Sequence, residues 1–122
     1  MRTIKFRAWD EDAGRFRMDV SVSDGIAESS WGAEKPDWIL EQFTGLLDSK
    51  GVEIFENDVV RLSDRVYGLY YGPGQIVAIE WDENSTGFKP FMDGHSDYGG
   101  VSGNQCEVIG TIHDAEYKEL AK

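Results

Sequence analysis

A mainly β fold built of many short strands is what this sequence predicts, and three observations predict it. Apolar and polar residues alternate with a period of two over 3–9 and again over 75–81, the spacing that sets every second side chain on one face of a strand. Fourteen glycines stand against three prolines, a supply of turns that suits short strands better than long helices. The stretch 42–60, QFTGLLDSKGVEIFENDVV, reads as three strands separated by two tight turns.

The chain has 122 residues, a single-domain length, since domains most often run to roughly 100–150 residues. A chain of this size buries about two-thirds of its unfolded surface. Its hydrophobic fraction of 40% and aromatic fraction of 12% supply a core without staples. No linker or internal repeat divides it, so one domain is expected, with an N-terminal β-hairpin region over about 1–37 and a main β region over about 38–122.

Taken in order, TIKFRAW at 3–9 is a half-buried strand, with Ile4, Phe6 and Ala8 on one face and Lys5, Arg7 and Trp9 on the other. The acid-rich stretch 10–14 turns, and 15–22 returns with Phe16, Met18, Val20 and Val22 on one face, which completes a hairpin. Residues 23–36 have no clean period and read as an irregular connection. Over 37–42 periodicity does not separate a helical turn from the start of a strand. Residues 43–46 are a short apolar strand. Asp48-Ser49-Lys50-Gly51 then has Asp at the first turn position and Gly at the fourth, which is type I turn chemistry. Strands follow at 52–55 and 59–62, joined by a turn at Glu56-Asn57-Asp58. A loop at 63–74 holds Tyr67, Tyr70 and Tyr71 between Gly68, Gly72 and Gly74. Residues 75–81 form one strand with Val77, Ile79 and Trp81 on a common face, and 88–92 form another, where Pro90 argues for an edge. The glycine-rich stretch 93–104 is expected to be a mobile loop, and 106–112 a final strand, with Asp114 capping a last helical turn.

Charge and composition exclude several functions. Twenty-three acids against twelve bases give a formal net charge of −11, which repels phosphate backbones and disfavours nucleic-acid binding. Five of the bases lie within 1–17 and read as the solvated charges of edge strands. The single cysteine, Cys106, rules out an intramolecular disulfide and fits a reducing compartment. No apolar run approaches the roughly 20 residues of a membrane span, and the charged N-terminus has no apolar core of a signal peptide. A cytoplasmic protein is expected.

The sequence carries no recognisable catalytic constellation. Cys106, His95 and His113 match no zinc spacing, and Cys106 reads as a small core residue. Gly72-Pro73-Gly74 lacks the third glycine and the helix of a dinucleotide fingerprint, and the run 94–103 lacks the Gly-Lys-Ser/Thr ending of a phosphate loop. No catalytic residue, metal ligand or cofactor is assigned. The aromatic loops remain: Tyr67, Tyr70 and Tyr71, with His95 and Tyr98 in the second loop, are the candidate partner-binding residues, because Tyr offers rigid amphipathic area at low entropic cost. They serve equally as a lid over the end of a β-barrel.

Three blocks carry a family resemblance: IKFRAWD at 4–10, the stretch 42–60, and EVIGTIHD at 107–114. Together they resemble the YopX family of bacteriophages and prophages, as does the strand ending Ile79-Glu80-Trp81. Asn57 stands where that family commonly has Gly, and Ala115-Glu116 stand where it has Pro. The resemblance implies an SH3-like barrel in the C-terminal part and transfers no catalytic residue. The leading expectation is a phage or prophage interaction module without catalysis, working in the host bacterial cytoplasm by contact with a protein partner or by self-association as a homo-oligomer. One alternative is an acidic mimic of nucleic acid that inhibits a basic host protein. The other is a metal-dependent hydrolase, which requires several of Asp10, Asp12, Asp58, Asp82 and Asp93 to converge.

Overall fold

The computed structural model describes residues 4–18, 20–23, 26–29, 33–64, 72–83, 87–90 and 103–120. The chain is mainly β, as the sequence predicts, and divides into two compact units, Met1–Phe43 and Thr44–Lys122. The boundary falls inside a strand, a few residues beyond the division near residue 37 that the sequence suggested.

In the first unit, β1 (Phe6–Asp10) and β2 (Arg15–Met18) form the expected hairpin, with Asp10 opposite Arg15 and Arg7 opposite Met18. The turn closes through Gly14, whose φ of 65° lies in the left-handed region that glycine adopts without steric cost and whose N–H donates to the Asp10 carbonyl at 2.8 Å. The return strand stops at Met18, and the chain resumes as β3 (Ser21–Ser23). Two further strands, β4 (Ile26–Glu28) and β5 (Glu34–Lys35), fall in the stretch read as irregular and complete a three-stranded sheet β3-β4-β5. At three and two residues they are too short to show a period. Residues 39–47 are strand, not a helical turn: β6 (Ile39–Leu47) pairs with β1, Phe6 opposite Gln42 and Trp9 opposite Ile39.

The strand β1 is therefore interior, between β2 and β6, and this corrects the expectation that its one base, Arg7, is solvated. Arg7 is only 7% exposed and Glu41, opposite it on β6, is fully buried. Arg7 Nε donates to Glu41 Oε1 at 2.8 Å, and the guanidinium lies 3.9 Å from the centre of the Phe16 ring. Burying either charge alone would cost several kcal/mol, and the mutual contact and the stacking on Phe16 help to offset that cost.

The second unit has an apolar core of Ile54, Val60, Leu62, Ile79, Phe88 and Cys106, with Leu46, Val77 and Val108 packed against it. Each large aliphatic side chain buried there contributes roughly 1.5–3 kcal/mol. The end of β6 leads through the Asp48–Gly51 turn into β7 (Glu53–Phe55), then β8 (Asp58–Leu62). Next come β9 (Ile76–Ala78), β10 (Glu80–Asp82), β11 (Gly87–Lys89) and β12 (Cys106–Thr111). β8 is central in the sheet β12-β8-β9, and β10 pairs with β11. The single strand expected over 75–81 is broken at Ile79. Its N–H donates to the Asp58 carbonyl and its carbonyl accepts from Asn57 N–H, both at 2.8 Å. Ile79 is buried by that attachment, whereas Trp81, expected on the same face, is 43% exposed.

The turns behave as their residues dictate. Asp48 Oδ1 accepts from Lys50 N–H, two residues on, at 2.8 Å, Gly51 donates back to the Asp48 carbonyl, and Gly51 has a φ of 80°. Asn57 takes the left-handed conformation with a φ of 69°, and Asp58 Oδ2 accepts from Phe55 N–H at 2.8 Å to close that turn. Gly103 and Asn104, at the end of the expected mobile loop, lie in a 3-10 turn (Gly103–Gln105) and Gly103 is buried; the preceding stretch 91–102 lies outside the described residues. A second 3-10 segment, Ala115–Leu120, ends the described chain, with Asp114 Oδ2 accepting from Thr111 N–H at its start.

Candidate interaction site

The first unit contains an open cleft of about 750 Å³, within the 300–1,000 Å³ range of ligand-binding clefts. All four residues of β2 line it. Successive strand residues point to opposite faces, so a cleft touching all four runs along the strand's edge, not over one face. β2 is also the terminal strand of its sheet, with β1 on its other side.

The cleft is organised by hairpin register. Asp10 lies opposite Arg15, which places Arg17 on the same face and one step along. Arg17 Nε and Nη2 donate to Asp10 Oδ2 at 3.2 and 2.9 Å. This hydrogen bond with Arg17 holds the Asp10 carboxyl below the usual carboxylate range; burial opposes it, and Ala13 N–H adds to it. Trp38, also in the lining, receives two cations: the Arg17 guanidinium at 5.4 Å from the ring centre and Lys35 Nζ at 5.9 Å. Among the described residues neither Arg15 nor Lys35 has a carboxylate within ion-pair distance. Asp12, Glu28 and Asp37 lie elsewhere in the lining.

Sequence reasoning missed this cleft. The signal was present in the hairpin: a four-residue turn after Asp10 fixes its opposition to Arg15, and the cross-strand diagonal to Arg17 follows. Trp38 had no such signal: it lies in the bend before β6, in a stretch whose periodicity does not separate a helical turn from the start of a strand. Tyr67, Tyr70, Tyr71, His95 and Tyr98 lie outside the described residues.

In the second unit a groove of about 550 Å³ is lined by Ser49, Arg61, Ser63, Cys106 and Glu107 among others. Its thiol is not a nucleophile. Cys106 is 2% exposed, its Sγ contacts the Gly103 carbonyl at 3.2 Å, and burial, reinforced by the charge of Asp48, pushes it up to about 12. The thiolate that would react is thereby suppressed at neutral pH. Among the described residues no three His, Cys, Asp or Glu side chains gather to hold a metal ion. Of the acids named for a metal site, Asp10 is tied to Arg17 and Asp58 to Phe55 N–H, while Asp93 lies outside the described residues. Nor does any helix among them reach the length and apolarity of a membrane span.

The fold and these contacts define a small mainly β protein whose buried carboxylates are held by backbone N–H groups and arginines. The family is identified by sequence: residues 19–116 match the YopX protein family, and the chain belongs to it. In fold it is similar to the crystal structure of protein EF1440 from Enterococcus faecalis, at a TM-score of 0.59 and 23% identity over 100% of both chains. No curated protein matches the chain.

Proposed function

We propose that this protein is an interaction module without catalysis, acting by contact with a protein partner or a second copy of itself. Its setting is a phage or prophage working in a host bacterial cytoplasm, and an SH3-like barrel in the second unit is its scaffold. One observation carries the reading. The buried carboxylates Asp10, Asp48, Asp58 and Glu41 each accept bonds that fix a turn or a strand pair, which is structural work, while Met18, Leu47, Val52 and Trp81 are left among the exposed large hydrophobics. Each leaves apolar area open to a partner.

The test is affinity capture from bacterial lysate with the full chain, followed by light scattering of the purified protein and of any complex. A stoichiometric protein partner or a defined oligomer is expected, and the joint change of Tyr67, Tyr70 and Tyr71 to Ala weakens it if the aromatic loop is the surface. A monomer that captures nothing overturns the reading. A second reading, mimicry of nucleic acid, is favoured by the charge of the second unit, where six bases face fourteen acids. Partner binding that collapses as salt rises from low to molar concentration supports mimicry, and salt-independent binding excludes it.

A further inference from the structure

We infer that the outer edge of β9 is the surface through which this protein pairs with a second copy of itself, the two β9 strands running antiparallel about Val77 so that the two sheets become one. This rests on the interaction-module reading and names its surface and its occupant. β9 is the last strand of the sheet β12-β8-β9, and its register says which backbone groups face outwards. Ile79 N–H donates to the Asp58 carbonyl and Leu62 N–H to the Gln75 carbonyl, while Val60 lies opposite Val77 between them. The positions of β9 bonded to β8 are therefore 75, 77 and 79, and Ile76 and Ala78 direct their N–H and C=O groups away from it. Among the described residues those outward groups have no hydrogen-bond partner. The other edge of the sheet is capped: Val108 N–H on β12 donates to Asp48 Oδ2, and the Cys106 carbonyl accepts from Ser49 N–H, both at 2.9 Å. Apart from its length of three residues, β9 has none of the devices that keep an edge from pairing. No charge or proline falls within 75–78 and no bulge interrupts the register, and Ile76 is 44% exposed.

The register and the charges choose the occupant. A two-fold axis at Val77 sets Ile76 of each copy opposite Ala78 of the other, and these are bonded positions, so the outward N–H and C=O groups of both residues are satisfied at once. Val77 meets its own counterpart between them at a close, non-bonded position. The three cross-strand pairs are all apolar, and Ile76 gains the cover it lacks in the single chain. Carried outwards, the register sets Gln75 against Ile79 and Gly74 against Glu80, so no like charges are opposed, an arrangement that would destabilise the pair. A strand of another protein would need something to select it, and the edge offers no charge for that. The cation that flanks it, Arg61, lies opposite Ile76 on β8 and is held by Glu107 at 3.6 Å. So short an edge places the contact at the weak, transient end of protein interfaces. Each copy carries −11, so repulsion between copies opposes pairing at low salt, and screening relieves it.

The experiment follows the purified full chain by sedimentation and amide chemical shifts as its concentration and the salt are raised. A dimer is expected, with concentration-dependent shifts at the Ile76 and Ala78 amides and an association that tightens with salt. Ile76→Pro removes only an outward-facing donor and leaves the bonds to β8 in place, so it should fold and remain monomeric. Register is read by oxidative cross-linking. Val77→Cys sets two thiols at the close cross-strand position, whereas Ile76→Cys sets them on a diagonal beyond disulfide reach, so the first should cross-link at least about tenfold faster. No dimer at roughly 1 mM chain, shifts confined to other residues, an association that weakens with salt, an unaltered dimer in Ile76→Pro, or equal cross-linking of the two cysteine variants each overturns the assignment. The cross-linking and the shifts decide it should Ile76→Pro fail to fold. A monomer that captures a protein from lysate, or a dimer formed through another surface, removes the edge assignment and leaves the interaction-module reading standing; a monomer that captures nothing removes both.

Discussion

Removing the Asp48 carboxylate is the perturbation to which the second unit should be most sensitive. Asp48 is 5% exposed and its two oxygens accept three backbone N–H groups. Oδ1 takes those of Lys50 and Val52, both at 2.8 Å, and Oδ2 takes that of Val108 at 2.9 Å. The first two shape the turn. The third crosses 60 residues of sequence to β12, whose Cys106 carbonyl also accepts from Ser49 N–H at 2.9 Å. One side chain thus builds a turn and fastens it to the last strand. It also covers a β12 N–H on the side away from β8, where an open edge would otherwise template pairing with another chain.

Each hydrogen bond to an ionised acceptor is worth roughly 1.5–3 kcal/mol net, and a buried N–H stripped of its partner costs about 1–3 kcal/mol. The turn N–H groups regain water in Asp48→Ala and the Val108 N–H does so less fully, so the total loss is about 3–5 kcal/mol, a large share of a typical 5–15 kcal/mol. Asp48→Asn keeps an acceptor on one side only and turns an NH₂ group towards the donors on the other, for an intermediate loss of about 2–3 kcal/mol. Burial alone pushes the Asp48 carboxyl up, but its bonds to Val108, Val52 and Lys50 N–H outweigh that and hold it below the ordinary value. A depressed folded-state value means the stabilisation is present in full above the unfolded carboxyl pKa, near 3.9, and is lost as pH falls through the lower folded value. The gap between wild type and Asp48→Ala should therefore be widest above about pH 5 and should narrow below pH 4. Urea unfolding across that range measures the gap, and hydrogen exchange at the Val108 amide reads the local effect. A loss under about 1 kcal/mol at pH 7, a gap that does not narrow in acid, or unaltered protection of the Val108 amide would refute the reasoning.

Three other outcomes follow from the same geometry. Arg7→Met takes the guanidinium from a carboxylate with no exposure and should cost about 3–5 kcal/mol, whereas Arg7→Met with Glu41→Leu should regain most of it; a double-mutant cycle in urea checks this, and additive losses contradict it. Gly103→Ala places a Cβ 2.5 Å from the Leu47 carbonyl oxygen and 3.2 Å from Leu46 Cβ, so about 1–3 kcal/mol of overpacking strain is expected by thermal or chemical unfolding. Cys106, buried and pushed up to about 12, should resist alkylation at pH 8 in the folded protein and react at the rate of an ordinary thiol once urea unfolds it, as followed by mass spectrometry.

The sequence made the second unit more legible than the first, for a physical reason. Turn chemistry is local: Asp48, Gly51 and Asn57 act on backbone groups a few residues away, and such patterns are visible in a short window. The period of two located β1 and, over 75–81, the strands β9 and β10, although it could not show the break between them at Ile79. In the first unit the interior is largely polar, with Arg7, Asp10 and Glu41 all buried, and a rule that assigns charges to solvent places them outside. What puts Arg7 inside is Glu41, 34 residues away, together with the ring of Phe16 on the neighbouring strand. Neither partner is local, so no window on the sequence shows the compensation.

The same circumstance bears on where function lies. A polar interior contributes less to stability than an apolar one of the same volume, because ion pairs only offset their desolvation, and a fold that keeps one gains specificity of pairing instead. Arg7–Glu41 fixes β6 beside β1 in one register, since the slip of a single residue would turn Glu41 to the opposite face from Arg7. With β6 and β1 fixed, Asp10 and Arg17 are fixed on the hairpin, and Arg17 in turn lies 5.4 Å from the Trp38 ring. The buried pair therefore positions the cleft it does not line. Loss of Arg7 should loosen the β1–β2 hairpin before it unfolds the unit, so faster hydrogen exchange at the Arg17 amide, opposite Ala8 in the hairpin, at temperatures where Arg7→Met remains folded is the expected signature. Unchanged exchange at that amide in the folded variant would separate the ion pair from the cleft.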